Sequence, residues 1–336
     1  MGMTAPSARV SVFAMNDPER GMQTVRETMM KLTKTIAAAA GLAMMGSGAS
    51  AGGLLNVPVP DWTGGAVTCE ILHYVLENEM GYKVKRITMP AGAALDEGMI
   101  AGDLDFGCER WPTYDPLKTK YVSEYGGDGS IVYYAPTGIV GASGYYVPRY
   151  LVEGADAKAP DLKSYEDLNK YAELFTTLES GGKGRLIGCP VAAWECEDAK
   201  RLETLGVDFV VSELGSETAH WAEIEAAYKR GEPFIAYAWE PHWIHATLDL
   251  VEVKLPEYSD EAWPATDWGD DVTRHYGPKS LAEDHPDIVA LFQKARLTNA
   301  EQAPMILAID KEGRELEEVV AEFMEANEDK WRAWLN

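Results

Sequence analysis

The sequence predicts an α/β protein built as two lobes with a cleft between them. Apolar, strand-like runs alternate with helix-period segments from Leu54 onward, and the same alternation restarts after Ser164. Between the two units, Ile131 to Val147 is β-branched and tyrosine-rich, as suits strands near a hinge. Alternation of this kind implies a largely parallel sheet covered on both faces.

Taken in order, Leu54 to Val59 is a short apolar strand. Asp61-Trp62-Thr63-Gly64-Gly65 then turns the chain into a helix with Val67, Ile71, Leu72, Val75 and Leu76 on one face. Gly81 stops that helix. Tyr82 to Met89 is the next strand, Ala93 to Ala101 a helix ended by Gly102, and Leu104 to Gly107 a third strand. In the second unit, Ser164 to Phe175 is a helix with a Ser164-x-x-Asp167 start, followed by a glycine-rich break at Gly181 to Gly184. That break lacks the phosphate-loop pattern and reads as a turn. Arg185 to Cys189 and Phe209 to Ser212 are strands flanking a helix from Glu195 to Leu205. Glu217 to Arg230 is a helix and Pro233 to Trp239 a buried strand. Pro256 to Gly277 is a loop rich in Trp, Asp and Gly, and the chain finishes mainly as helices through Leu335. The partition expected is 52–148 for the first part of lobe 1, 149–268 for lobe 2 and 269–336 for the rest of lobe 1.

Residues 1–51 are set apart from this fold. Arg26, Lys31 and Lys34 precede a short apolar run from Thr35 to Met45, and Ala49-Ser50-Ala51 forms an A-x-A cleavage pattern. The run is too short to span a bilayer as a mature helix. The expectation is a cleaved signal peptide with its upstream extension, removed near Ala51, and a monomeric periplasmic protein not inserted in the membrane. Acidic residues outnumber basic ones 54 to 30, for a formal charge of −24. Such a surface repels nucleic acid and anionic lipid, so neither is expected as a partner, whereas a cationic ligand is not disfavoured.

Export permits disulfides among Cys69, Cys108, Cys189 and Cys196. Cys189 and Cys196 are close enough in sequence to close a small loop, and Cys69, on an amphipathic helix, reads as a buried small hydrophobe. No Cys or His pair has zinc-site spacing. Asp267, Asp270 and Asp271 hold enough carboxylates for calcium but lack EF-hand spacing, so a solvated acidic loop and no metal are expected.

Ten tryptophans are present, and their positions matter more than their number. Trp62, Trp111, Trp194 and Trp239 each lie at or just after the end of a predicted strand, the edge that faces the ligand crevice of open α/β sheets. Converging indoles suit a methylated ammonium, which has no N–H for acceptors to read and docks its methyls on π faces. Any one such residue can equally serve as core or rim; Trp221, Trp331 and Trp334, at helical spacing, are assigned to packing, while Trp263 and Trp268 in the loop suit either role.

Asp61-Trp62-Thr63-Gly64, Glu109-Arg110-Trp111-Pro112-Thr113-Tyr114, Trp194-Glu195-Cys196 and Trp239-Glu240-Pro241-His242-Trp243 occur in that order. Together they resemble the glycine betaine/proline betaine/choline class of ABC-transporter substrate-binding proteins, trimethylamine N-oxide binders included. The resemblance runs from about Leu54 to about Trp334. It implies a periplasmic-binding-protein fold (Venus flytrap, type II) with mainly parallel sheets and a hinge. It also implies a membrane permease of an ABC importer as partner, no cofactor, and a tryptophan box completed when the lobes close. By motif, Trp111 takes the first lobe's position, and Trp194 and Trp239 take the second lobe's; Trp62 and Trp243 are further ligand-binding candidates. Cys189 and Cys196 resemble a disulfide that frames the Trp194 loop in some members, with one residue more between them here.

Departures from that pattern bear on the ligand. Glu195 follows Trp194 directly, Glu240 stands where members often have Thr, and Tyr114 lies nearest the position of an occasional His. Glu109 is two residues before Trp111, so strand alternation points both to one side. Glu195, Glu197 and Asp198 also suit the plain role of stabilising a helix N-terminus. If Glu109 and Glu195 face the ligand, a carboxylate there would cost several kcal/mol to desolvate. The sequence therefore favours trimethylamine N-oxide or choline, with glycine betaine or dimethylsulfoniopropionate as the alternative. An enzyme acting on a methylated amine, with Glu109 and a nearby His as acid and base, is a second class of function. No redox fingerprint, metal triad or nucleophile elbow supports it, and no catalytic residue is expected.

Overall fold

The computed structural model describes residues 52–336; the expected signal peptide and its cleavage point lie outside them. β1 (Leu54–Val59) buries Leu55 and Val57, and α1 (Thr63–Asn78) returns over it with Val67, Ile71, Leu72, Val75 and Leu76 inward. β2 (Lys83–Thr88) pairs with β1 in parallel. α2 (Ala93–Ala101) ends at Gly102, whose left-handed backbone (φ 80°) closes the last turn. β3 (Gly107–Arg110) is followed by β4 (Ile131–Pro148), one continuous strand of 18 residues.

The second half of the alternation comprises β5 (Gly184–Ile187), α3 (Asp198–Thr204), β6 (Phe209–Ser212), α4 (Glu217–Arg230), β7 (Ile235–Glu240) and β8 (Leu250–Val253). β9 (Asp270–Pro278), α5 (Pro286–Lys294), α6 (Asn299–Asp310) and α7 (Leu316–Ala326) complete the chain apart from short helical turns. The larger sheet runs β3-β9-β4-β7-β5-β6, with β8 also on β4. β5 pairs in parallel with β6 and β7, whereas all pairings of β4 and β9 are antiparallel. β4 is the crossing element: its first half pairs with β9 and its second half with β7 and β8.

Two large cores result. One is built on Leu55, Leu72, Phe106, Phe292 and Trp331, the other on Tyr145, Leu186, Ile235, Trp221 and Trp268. Side chains tie these lobes together: Trp194 to Asp61, Glu217 to Thr63, Trp243 to Asp310 and Lys311 to Glu225. Among the described residues, no helix is long and apolar enough to cross a membrane.

Four local readings need correction. The third strand starts at Gly107, where the sequence reading ended it, because its partner is β9. β9 in turn occupies the end of the stretch read as a loop; exposed Asp270 and Val272 and half-buried Arg274 alternate with buried Asp271, Thr273 and His275. Glu195 and Glu197 have left-handed backbones (φ 57° and 59°) and precede the helix, which begins at Asp198. Ser164 and Asp167 do form their reciprocal cap, but the segment they start, Tyr165–Phe175, winds as a 3₁₀ helix.

The cysteines pair as Cys69–Cys108 and Cys189–Cys196. Cys69 is buried, as its helical position requires, yet it is bonded rather than a free hydrophobe. The bridge pins α1 to β3, two elements whose proximity periodicity does not report.

Candidate functional site

Strand ends deliver the aromatic walls. Trp62 caps the start of α1 after β1, Trp111 follows β3, Trp194 closes a single turn (Ala192–Trp194) after β5, and Trp239 lies on β7. With Ala91, Tyr114, Cys196 and Tyr237 they line a cavity of about 60 Å³ between the lobes. Trp194 stands edge-on to Trp62 (centroids 5.7 Å, planes 72°) and to Trp239 (5.7 Å, 79°). Near-perpendicular indoles present surfaces in different directions around one space, which fits a compact head bearing several methyl groups.

Two of the rings are fixed by hydrogen bonds from their indole nitrogens. Trp111 Nε1 donates to Glu109 Oε1 (2.8 Å), and Trp194 Nε1 donates across the cleft to Asp61 Oδ1 (2.8 Å). Gly141 underlies Trp111 so closely that a Cβ there would stand 2.0 Å from the ring. Gly92, at φ 122°, lets lobe 1 approach the Ala193 carbonyl; a Cβ would meet that oxygen at 2.6 Å.

The wall has one polar feature. Tyr114 and Tyr237 share a hydrogen bond between their hydroxyls (2.8 Å), and Ser143 Oγ lies 3.3 Å from the Tyr237 hydroxyl. Burial pushes both phenols upward, so each stays a neutral O–H group. Their mutual bond engages one proton, leaving the other for Ser143 or for an oxygen in the cavity.

The remaining candidates lie elsewhere. Glu109 is buried behind Trp111, accepting from Thr68 Oγ1 (2.6 Å) and Gln302 Nε2 (3.2 Å) as well as the indole. Burial raises its pKa, and those three hydrogen bonds oppose the rise. Glu195 lines a neighbouring groove of about 570 Å³ with Tyr114, Asp115, Glu124, Glu197, Asp260 and Trp263. Its carboxyl is shifted upward by burial and then by Glu197. Trp243 is not a wall of the indole-lined cavity: it caps the short helix Ile244–Thr247, and its Nε1 donates to Asp310 Oδ2 (2.9 Å). Glu240 is exposed at the end of β7. Trp221, Trp331 and Trp334 are buried, as is Trp268, which carries the Arg201 guanidinium 3.7 Å over its ring centre.

Asp267, Asp270 and Asp271 do not converge into a metal-binding group among the described residues. Asp267 accepts from the Gly269 amide, and buried Asp271 accepts from the Thr113 amide (3.0 Å), steadying the turn that presents Tyr114. Burial raises Asp271 from 3.8 to about 6. Because the folded pKa lies above the unfolded one, its contribution is full below about pH 4 and is lost as pH rises towards 6. Asp271→Asn should therefore flatten the fall in stability between pH 4 and 7, read by urea unfolding at both pH values. An unaltered difference would exclude this carboxyl as a source of the pH dependence.

Sequence reasoning did not single out Tyr237, Ala91 or Cys196 for the cavity. Tyr237 was the accessible one: it precedes Trp239 by two residues on a strand and so shares its side.

A family model described as the substrate binding domain of ABC-type glycine betaine transport system matches residues 53–326. The chain is 24% identical over 287 residues to the trimethylamine N-oxide-binding protein of Pelagibacter ubique (strain HTCC1062), covering 82% of this chain and 88% of that one. It is 26% identical over 289 residues to the glycine betaine/proline betaine-binding periplasmic protein of Escherichia coli (strain K12), covering 77% and 82%. A solved ABC-transporter choline-binding protein in complex with choline superposes with TM-score 0.67 at 17% identity, covering 84% of this chain and 91% of that one.

Proposed function

Because the chain belongs to the family of substrate-binding domains of ABC-type glycine betaine transport systems, we propose that it is an exported binding protein that captures trimethylamine N-oxide or choline for an ABC permease. The carrying observation is a cavity walled by four indoles and two phenols, without a lysine or arginine on its wall among the described residues. The indoles supply π faces for the methylated head. The Tyr114–Tyr237 pair supplies a donor for an N-oxide oxygen, or a partner for the hydroxyl of choline.

Acidic groups also argue against a ligand carboxylate. Asp115, Glu124, Glu195, Glu197 and Asp260 line the adjoining groove, with Lys118 the only basic side chain there among the described residues. Such a groove draws cations inward and repels anions. Glu109 enters this reading as the residue that fixes Trp111, not as a direct ligand group. The similar proteins, a trimethylamine N-oxide binder and a glycine betaine/proline betaine binder, agree with a methylated-ammonium ligand, and the second is periplasmic. The family consists of transport domains, which favours binding over catalysis.

Calorimetric titration with trimethylamine N-oxide, choline, glycine betaine and dimethylsulfoniopropionate tests the assignment. Either of the first two should bind at least tenfold more tightly than glycine betaine. Equal or tighter binding of glycine betaine would overturn the preference, and no binding of any of the four would overturn the box itself.

A further inference from the structure

A second polar cluster lies between the lobes, next to the box, with the His242 ring centre 5.3 Å from that of the wall residue Trp239. His242 follows β7, Glu217 opens α4 and Asp310 closes α6. His242 Nε2 lies 3.5 Å from Glu217 Oε1 and 3.5 Å from Asp310 Oδ2, too far for a good hydrogen bond to either. The imidazole is buried, and its Nε2 has no hydrogen-bond partner among the described residues. All three ligand atoms lie within 4.8 Å of one another.

We propose that Glu217, His242 and Asp310 form a zinc-type divalent-cation site that clasps the two lobes. Two atoms each about 2.1 Å from a tetrahedral zinc ion stand about 3.4 Å apart, close to the spacing of His242 Nε2 from both carboxylates. One imidazole and two carboxylates are ordinary zinc ligands, and a water can take the fourth position. Space for that water exists: Glu217, Trp221, Trp243, Asp310 and Lys311 border a cavity of about 140 Å³.

Surrounding groups orient the three ligands as outer partners do at metal sites. Glu217 Oε2 accepts from the Thr63 amide (2.8 Å) and Oε1 from Trp221 Nε1 (3.2 Å). Asp310 accepts from Thr63 Oγ1 (2.6 Å) and Trp243 Nε1 (2.9 Å). Trp221 stacks on the His242 ring at 4.1 Å, fixing its plane. Lys311, which borders the same cavity, is engaged by Glu225 (2.6 Å). Ligation through Nε2 places the ring proton on Nδ1 and gives up the long contact (3.3 Å) from the Ile244 amide, a small loss against three metal bonds.

The ligands come from both lobes, so the cation holds the closed form. By linkage, an amine that closes the cleft must tighten zinc binding by the same factor as zinc tightens the amine.

Chelator-treated protein titrated with zinc chloride, by calorimetry and by competition with a chromogenic chelator, tests the site. One zinc per chain is expected, with cobalt(II) giving the absorption of a tetrahedral site. His242→Ala and Asp310→Asn should each weaken zinc at least tenfold while circular dichroism stays unchanged. Saturating trimethylamine N-oxide or choline should tighten zinc severalfold. Absence of stoichiometric zinc, or zinc indifferent to His242→Ala, overturns the site and leaves His242 a polar bridge. Affinity unaffected by an amine that binds overturns the clasp. The zinc titration without amine reads the cluster alone, so its outcome is independent of the ligand assigned to the box.

Discussion

Replacing Trp194 with alanine should weaken ligand capture by about 1.5–3.5 kcal/mol, roughly ten- to four-hundred-fold. Two losses combine. The indole is a wall of the cavity, and one desolvated cation–π face is worth about 1–2 kcal/mol. Its Nε1 also donates to Asp61 on the opposite lobe, and a net hydrogen bond adds about 0.5–1.5 kcal/mol. Trp194→Phe separates these, keeping an aromatic face while deleting the bond between lobes. Trp111→Ala and Trp239→Ala lose wall area without breaking that bond and should cost about 1–3 kcal/mol each. Trp331→Ala is the control: its ring is buried and its Nε1 donates to the Met324 carbonyl, so it should change stability and leave affinity alone. Calorimetry returning wild-type affinity for Trp111, Trp194 and Trp239 variants alike would rule out the box as the ligand site.

Removing the Cys69–Cys108 bridge should produce the largest stability loss of any pairwise change considered. The chain-entropy relation, applied to a separation of 39 residues, gives about 4 kcal/mol. The same relation gives about 2.4 kcal/mol for Cys189–Cys196, whose separation is 7. The double variant Cys69→Ala/Cys108→Ala should therefore shift the urea midpoint more than Cys189→Ala/Cys196→Ala. Ligand affinity should show the reverse order, because Cys196 is a cavity wall while Cys69 and Cys108 lie in the first lobe's core. Equal midpoints for both double variants would show that chain entropy does not set the difference.

Much of this molecule was legible in the sequence because local rules govern it. The periodicity of Val67, Ile71, Leu72, Val75 and Leu76 selects a helix with one buried face, and Gly102 ends a helix by adopting a left-handed backbone. The order of Trp62, Trp111, Trp194 and Trp239 relative to strand ends indicated one shared crevice, and the folded chain gathers all four around one cavity. The regular spacing of strands and helices predicts two α/β units, and their likeness to the family carries the two-lobed fold.

Long-range geometry settled the rest. Cys69 finds Cys108, Asp271 finds the Thr113 amide and Trp243 finds Asp310, at sequence separations of 39, 158 and 67. No local period records such partners. Glu109 shows the difference most clearly. Alternation correctly placed it beside Trp111, but only the packing of α1 and α6 brings Thr68 and Gln302 to its other oxygen. The sequence by itself determined which elements form and which aromatic residues stand at their ends, since propensity and periodicity act within a few residues. Tertiary structure alone decided which carboxylates line the groove beside the cavity, which stand behind its walls and which meet His242 across the lobes. Those outcomes depend on desolvation and hydrogen-bond partners supplied by distant segments.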